Sequence, residues 1–180
     1  MGVNTYSWNN VDRAIIEMLS VDNNPDLTQR FMLNAIEEAE KSSVRPTVGT
    51  VIIKGDEKIG RGYRAQNGTN NGTIYHAEYF ALQQAEKSAR EGVMYVTLAP
   101  CSHRRHKPGE VQLDPCCDQI IKAGVQEVYV GLLDHAPWVR GESIRRLTEA
   151  GVKVYNGSQG LEHQLYELIG DGFFTHNHHE

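Results

Sequence analysis

The feature that most constrains this chain is a set of chemically matched residues held well apart in sequence. They are His76 and Glu78 in His76-Ala77-Glu78, Cys101 in Pro100-Cys101, and a thiol in Pro115-Cys116-Cys117. An imidazole, a carboxylate two residues on and two separated thiols are the parts of a hydrolytic zinc site. A structural zinc is closed by four protein ligands, whereas a catalytic zinc keeps three and leaves the fourth position to water or substrate. The imidazole and two thiols supply three. Glu78, too close to His76 to be needed as a ligand, is placed to take a proton from water at the metal. A fold that uses this set must bring the three stretches to one point.

Composition bounds the setting. The chain has 180 residues, 39% of them hydrophobic, which suits one domain with a real core. Its formal net charge of −5 implies no general affinity for nucleic acid, since neutralising phosphates requires clustered Lys and Arg. The one dense basic run, Arg104-Arg105-His106-Lys107, reads as a solvated loop tip, although it falls between the two thiol motifs. No apolar run approaches the roughly 18 residues of a membrane span, and no secretory signal opens the chain, so a cytoplasmic protein is expected. In a reducing compartment the 3 cysteines bind metal rather than form a Cys101–Cys116 bridge.

Periodicity gives the layout. Residues 1–10 are polar and Asn-rich and carry no assigned function. Val11, Ala14, Ile15, Met18 and Leu19 fall at helical spacing behind Asn10 as N-cap, and Asn23-Asn24-Pro25 breaks that helix. A second helix starts at Asp26 or Thr28 with the core stripe Phe31, Met32, Ala35, Ile36 and Ala39. Residues 48–53 and 58–63 form a hairpin about Gly55-Asp56, and the Asn- and Gly-rich run 66–72 is a loop. Ala77 to Ala89 is a helix, burying Phe80, Leu82 and Ala85, with His76 and Glu78 in its first turn. Met94 to Leu98 is a strand that places Pro100-Cys101 just past its C-terminal end, the usual ligand position in an α/β sheet. Cys116 and Cys117 open a helix closed by Gly124, so a thiolate there meets free backbone N–H groups. Strand 125–133, helix 143–150, strand 152–155 and helix 161–168 follow. This alternation predicts an α/β fold: a mixed five-stranded sheet between helical layers.

His-x-Glu followed by Pro-Cys and a second Cys is the zinc deaminase pattern. Here 14 residues separate the thiols, in place of the Cys-x-x-Cys of nucleoside and transfer-RNA deaminases. With Ala99-Pro100-Cys101-Ser102-His103 and Asp114-Pro115-Cys116-Cys117, the chain resembles the pyrimidine deaminase of riboflavin biosynthesis. The likeness runs from about Phe31 to Phe174, through Arg45-Pro46-Thr47-Val48-Gly49, Gly60-Arg61-Gly62-Tyr63, the loop from Asp134 to Gly141, and Gly172-Phe173-Phe174. It implies a three-layer αβα, cytidine-deaminase-like sandwich, zinc held by His76, Cys101 and Cys116, and Glu78 as proton shuttle. Pro115 precedes Cys116 as the family's proline precedes its second thiol. Neighbours on a helix point about 100° apart, so Cys117 is expected as a buried apolar residue instead. The resemblance places Ala77, His103 and Lys107 with the substrate. Arg45 and Arg64 stand where the family has Asn and usually His, also at substrate-facing positions. The loop between the thiols is longer, by about the length of residues 109–114.

The expected organisation is an N-terminal extension, 1–27, with a short helix, a deaminase domain, 28–175, and a tail, 176–180. The expected activity is zinc-dependent hydrolytic deamination of an amino-substituted pyrimidine or related heterocycle, one carrying an anionic group that the arginines read. The resemblance further implies a homo-oligomer, dimer or tetramer, with no membrane or nucleic-acid partner. Two other readings stand beside it: a closed structural zinc module using Cys101, Cys116, Cys117 and His103 or His106, and a deaminase of nucleosides or nucleic-acid bases.

Overall fold

β-branched residues, Thr50, Val51, Ile52 and Ile53, dominate the first strand. β1 (Gly49–Lys54) and β2 (Glu57–Tyr63) form an antiparallel hairpin whose two-residue turn puts Gly55 at φ 60°. The computed structural model describes Trp8 and residues 12–66, 72–134 and 140–170. The expected Asn10 cap, most of the Asn- and Gly-rich loop, part of the 134–141 loop, Gly172-Phe173-Phe174 and the 176–180 tail lie outside the described residues.

β5 (Val93–Leu98) pairs antiparallel with β1 and parallel with β6 (Glu127–Leu132), which pairs parallel with β7 (Lys153–Asn156). The order is β2-β1-β5-β6-β7, the mixed five-stranded sheet expected from the alternation. β3 (Ala65–Gln66) and β4 (Ile74–Tyr75) form a separate two-stranded ribbon that brings the chain to His76.

Helices cover both faces. α2 (Pro25–Ala39) and α6 (Glu162–Ile169) pack on one side. α3 (Ala77–Ala85), α4 (Cys116–Ala123) and α5 (Glu142–Glu149) pack on the other, and α1 (Arg13–Met18) lies against α5. Under α2, Tyr95, Tyr129 and Tyr155 stack across three strands, with ring centroids 4.6 and 4.4 Å apart and planes 13° and 6° from parallel. Phe31 of α2 caps this ladder 5.3 Å from Tyr95.

Two helices differ from expectation in their bounds. α1 is shorter than the predicted 11–19 and buries only Ile15. α3 stops at Ala85, where Glu86 turns to φ 48°, and a single 3-10 turn, Glu86–Ala89, replaces its last turn. Phe80 is half-buried, and Ala81 takes the inward position. The N-terminal extension is also more than a polar leader. Trp8 is buried, and its indole donates to the Gly131 carbonyl of β6 at 2.9 Å.

Candidate metal centre and cleft

Two helix starts and one strand end build the site. α3 sits directly on β2: a Cβ at Gly62 would fall 2.3 Å from the Ala77 carbonyl oxygen, and one at Gly60 would fall 2.3 Å from that of Ala81. Only glycine permits this approach, and it places His76, at the N-cap position, and Glu78, in the first turn, over the ends of the central strands. β5 ends at Leu98, and the Ala99 N–H donates to the Leu132 carbonyl at 2.8 Å, which steers Cys101 to the same spot. Cys116 is the first residue of α4. Its backbone N–H donates to Cys101 Sγ at 3.2 Å, and the Cys117 N–H donates to the Cys101 carbonyl at 3.1 Å.

His76 Nδ1 lies 3.3 Å from Cys116 Sγ, and the donor atoms of His76, Cys101 and Cys116 all fall within 4.8 Å of one another. One imidazole and two thiols form a donor set that suits zinc and not calcium or magnesium. The Cys116 side chain, hydrogen-bonded to Cys101, pulls the Cys101 thiol down to about 4 against its burial, with His76 assisting. The proton shared with Cys101, together with burial, holds Cys116 above the ordinary thiol range.

Glu78 is 3% exposed. Burial pushes its carboxyl above the usual range, opposed by His76 and a hydrogen bond from the Cys116 side chain. Glu78, His76 and Cys101 line a cleft of about 530 Å³, counted out to its open mouth, with Pro46, Val48, Leu98 and Ala99 as apolar walls and Arg64 and Asp134 as further polar groups.

The other expected site residues divide. Arg64 lines the cleft, and its Nη1 donates to the carbonyls of Arg45 and Pro46. Burial lowers its pKa, Arg104 adds to this, and Glu78 opposes it. Arg45 is exposed, and its guanidinium donates to Thr47 Oγ1 at 3.0 Å and to the Leu168 carbonyl at 3.1 Å, outside the cleft walls. Ala77 is buried with its side chain in the core. His103 is exposed and pairs with Ser102 Oγ at 3.0 Å, and Lys107 is exposed with its N–H on Glu110 Oε2. Neither lines the cleft.

Arg104 corrects the reading of the basic run as a solvated tip. It folds back so that Nη2 donates to the Ile74 carbonyl, and its Nη1 is buried with no hydrogen-bond partner among the described residues. Asp134, not singled out from sequence, follows β6 just as Cys101 follows β5, and the same strand-end rule would have found it. The closed structural site does not form. Cys117 Sγ turns to the Pro100 and Ser143 carbonyls, each at 3.9 Å, burial raises its pKa, and His106 Nε2 accepts from the Leu113 N–H.

Comparison with known proteins agrees with this geometry. Residues 25–132 match the cytidine and deoxycytidylate deaminase zinc-binding region. The riboflavin biosynthesis protein RibD of Synechocystis sp. is 37% identical over 133 residues, covering 74% of this chain and 32% of its own. The diaminohydroxyphosphoribosylamino-pyrimidine deaminase of Buchnera aphidicola subsp. Schizaphis graminum is 35% identical over 148 residues, covering 82% of this chain and 90% of its own. Acinetobacter baumannii RibD in its form 1 structure superimposes with a TM-score of 0.68 at 34% identity, over 83% of this chain and 39% of that one. The chain thus spans less than two fifths of the RibD relatives (32% and 39%) and nearly all of the Buchnera deaminase (90%). No helix among the described residues is long and apolar enough to cross a membrane. The chain belongs to the zinc-binding deaminase family of cytidine and deoxycytidylate deaminases, among the relatives of the riboflavin-pathway pyrimidine deaminase.

Proposed function

We propose that this chain hydrolytically removes the exocyclic amine of an amino-substituted pyrimidine, with His76, Cys101 and Cys116 as zinc ligands and Glu78 as proton shuttle. The observation that carries this reading is the buried Glu78 carboxyl, which touches the three-donor cluster and faces the same cleft. Zinc bound there supplies a Lewis acid that brings the pKa of a water molecule near neutrality. Glu78 would take a proton from the attacking water and deliver it to the adjacent ring nitrogen as the oxygen adds to the ring carbon bearing the amine, and would then carry the proton of the new hydroxyl to the departing nitrogen. Ammonia leaves and a carbonyl remains. A carboxyl raised by burial is suited to both halves of this transfer, because its affinity for the proton lies closer to working pH.

The apolar walls Pro46, Val48, Leu98 and Ala99 fit the faces of a neutral ring. Two thiolates and a neutral imidazole cancel the metal's charge, so the centre itself does not select ring charge. The relatives' printed substrate, a phosphoribosylated diaminopyrimidine, gives the class proposed here, with Arg64 as the arginine placed to read an anionic or oxo substituent. The catalytic unit spans 28–175, the extension 1–27 docks through Trp8, and the unit works as a cytoplasmic homo-oligomer.

The test is ammonia release from candidate aminopyrimidines, phosphorylated and not. Glu78→Ala and Glu78→Gln are expected to keep stoichiometric zinc while turnover falls by roughly 10²–10⁴, since each removes the proton acceptor and no ligand. Undiminished ammonia release from these variants refutes the mechanism.

A further inference from the structure

No residue lining the cleft comes from α5, yet one α5 side chain grips both thiol-bearing segments. Arg146 Nη1 donates to the carbonyl of Ser102, the residue after Cys101, and Nη2 donates to Asp118 Oδ1 at 2.5 Å, two residues past Cys116. We infer that Arg146 is a positioning residue that fixes the spacing of Cys101 and Cys116 and so sets how tightly the site holds zinc. This inference rests on the zinc-site reading above.

The need for such a clamp follows from the chain path. The two thiols are joined by 14 residues, many of them exposed, so the connection itself does little to hold them at one distance. The α4 backbone reaches Cys101 through the Cys116 and Cys117 N–H groups. Arg146 adds an attachment one residue further along, tying the Ser102 carbonyl directly to Asp118 in the first turn of α4. Ser102 is buried, and the Arg146 and Asp118 side chains are 28% and 30% exposed, so the contact is sheltered from full solvent screening. A planar guanidinium serves a carbonyl and a carboxylate together, which the single ammonium of a lysine does less well. Asp118, in the first turn of α4, also faces the positive end of that helix, so the contact holds the turn that presents Cys116.

The adjacent Arg145 supplies the control. It is half-exposed and, among the described residues, pairs with Glu142 and Glu149 on the outer side of α5. The experiment is zinc competition against a chelator of known affinity, with thermal unfolding of the metal-free proteins measured in parallel. Arg146→Ala is expected to raise the zinc Kd about 10- to 100-fold, as loss of a group that orients metal ligands does. Arg146→Lys and Asp118→Asn, each keeping part of the linkage, fall between this and wild type, and Arg145→Ala matches wild type. A merely structural role predicts lower unfolding temperatures with zinc affinity unchanged, and that result overturns the inference, as does equal weakening in Arg145→Ala. Should Arg146→Ala fail to fold, wild-type affinity in both Arg146→Lys and Asp118→Asn overturns it as well. A wild-type protein that binds no zinc defeats the zinc-site reading itself, an outcome distinct from unchanged affinity in the variants.

Discussion

The start of α2 and the starts of α3 and α4 are built on opposite rules. α2 follows every local preference: Asn24 Oδ1 accepts from the Leu27 N–H at 3.3 Å, Pro25 takes the first helical position, and Asp26 sits in the first turn. α3 begins at His76 and α4 behind Pro115, and neither has a side-chain cap. At α4 the open N–H groups are spent on Cys101 instead, one on its sulfur and one on its carbonyl. α1, α5 and α6 also start without a side-chain cap, so what sets α4 apart is that its first backbone N–H groups turn to the sulfur and carbonyl of Cys101. The mark of the site is therefore a helix start whose N–H groups serve a neighbouring cysteine, and not the missing cap alone.

The sharpest break of this contrast lies within α4. Cys116→Ser is expected to lose most bound zinc and with it turnover, while Cys117→Ser keeps zinc, as metal analysis of the two proteins will show. Retention by the first and loss by the second would move the ligand assignment by one residue. Next in size is Gly62→Ala, whose new methyl would press on the Ala77 carbonyl and on Phe80 Cβ at 2.7 Å. Overpacking of this kind costs about 1–3 kcal/mol, and because it pushes on the first turn of α3 it should weaken zinc binding along with thermal stability. The smallest effect belongs to Asn24→Ala, at about 1 kcal/mol of stability by denaturant unfolding, with zinc content and turnover unaltered. Loss of turnover in that variant would mean that α2 is coupled to the site after all.

The same contrast explains what could be read from sequence. The α2 stripe and the strands 48–53, 94–98, 125–133 and 152–155 were legible because hydrophobic periodicity and β-branched runs are local signals. The metal donors were legible because zinc restricts residue type and Pro-Cys stretches flank predictable strand and helix ends. The β3–β4 ribbon was not, since two residues per strand carry no period. Nor was the end of α3 at Ala85, because Glu86 to Ala89 is composed of residues that propagate helices well and only tertiary context turns Glu86 aside. Composition likewise does not distinguish Arg104, folded back and buried at one nitrogen, from Arg105 or Lys107 in the same run. The direction of Arg45, toward Leu168 and away from the cleft, depends on where α6 ends, far along the chain.

The tyrosine ladder on the α2 face has a practical consequence. Burial drives the phenols of Tyr95, Tyr129 and Tyr155 upward, so in an alkaline spectrophotometric titration their ionisation is expected above the ordinary tyrosine range, for as long as the sheet holds. Held rigidly in the stack, they are also expected to contribute to the near-ultraviolet circular dichroism. The protein thus carries an optical gauge of its sheet on the face opposite α3 and α4, by which any variant of the metal centre can be judged folded without reference to zinc.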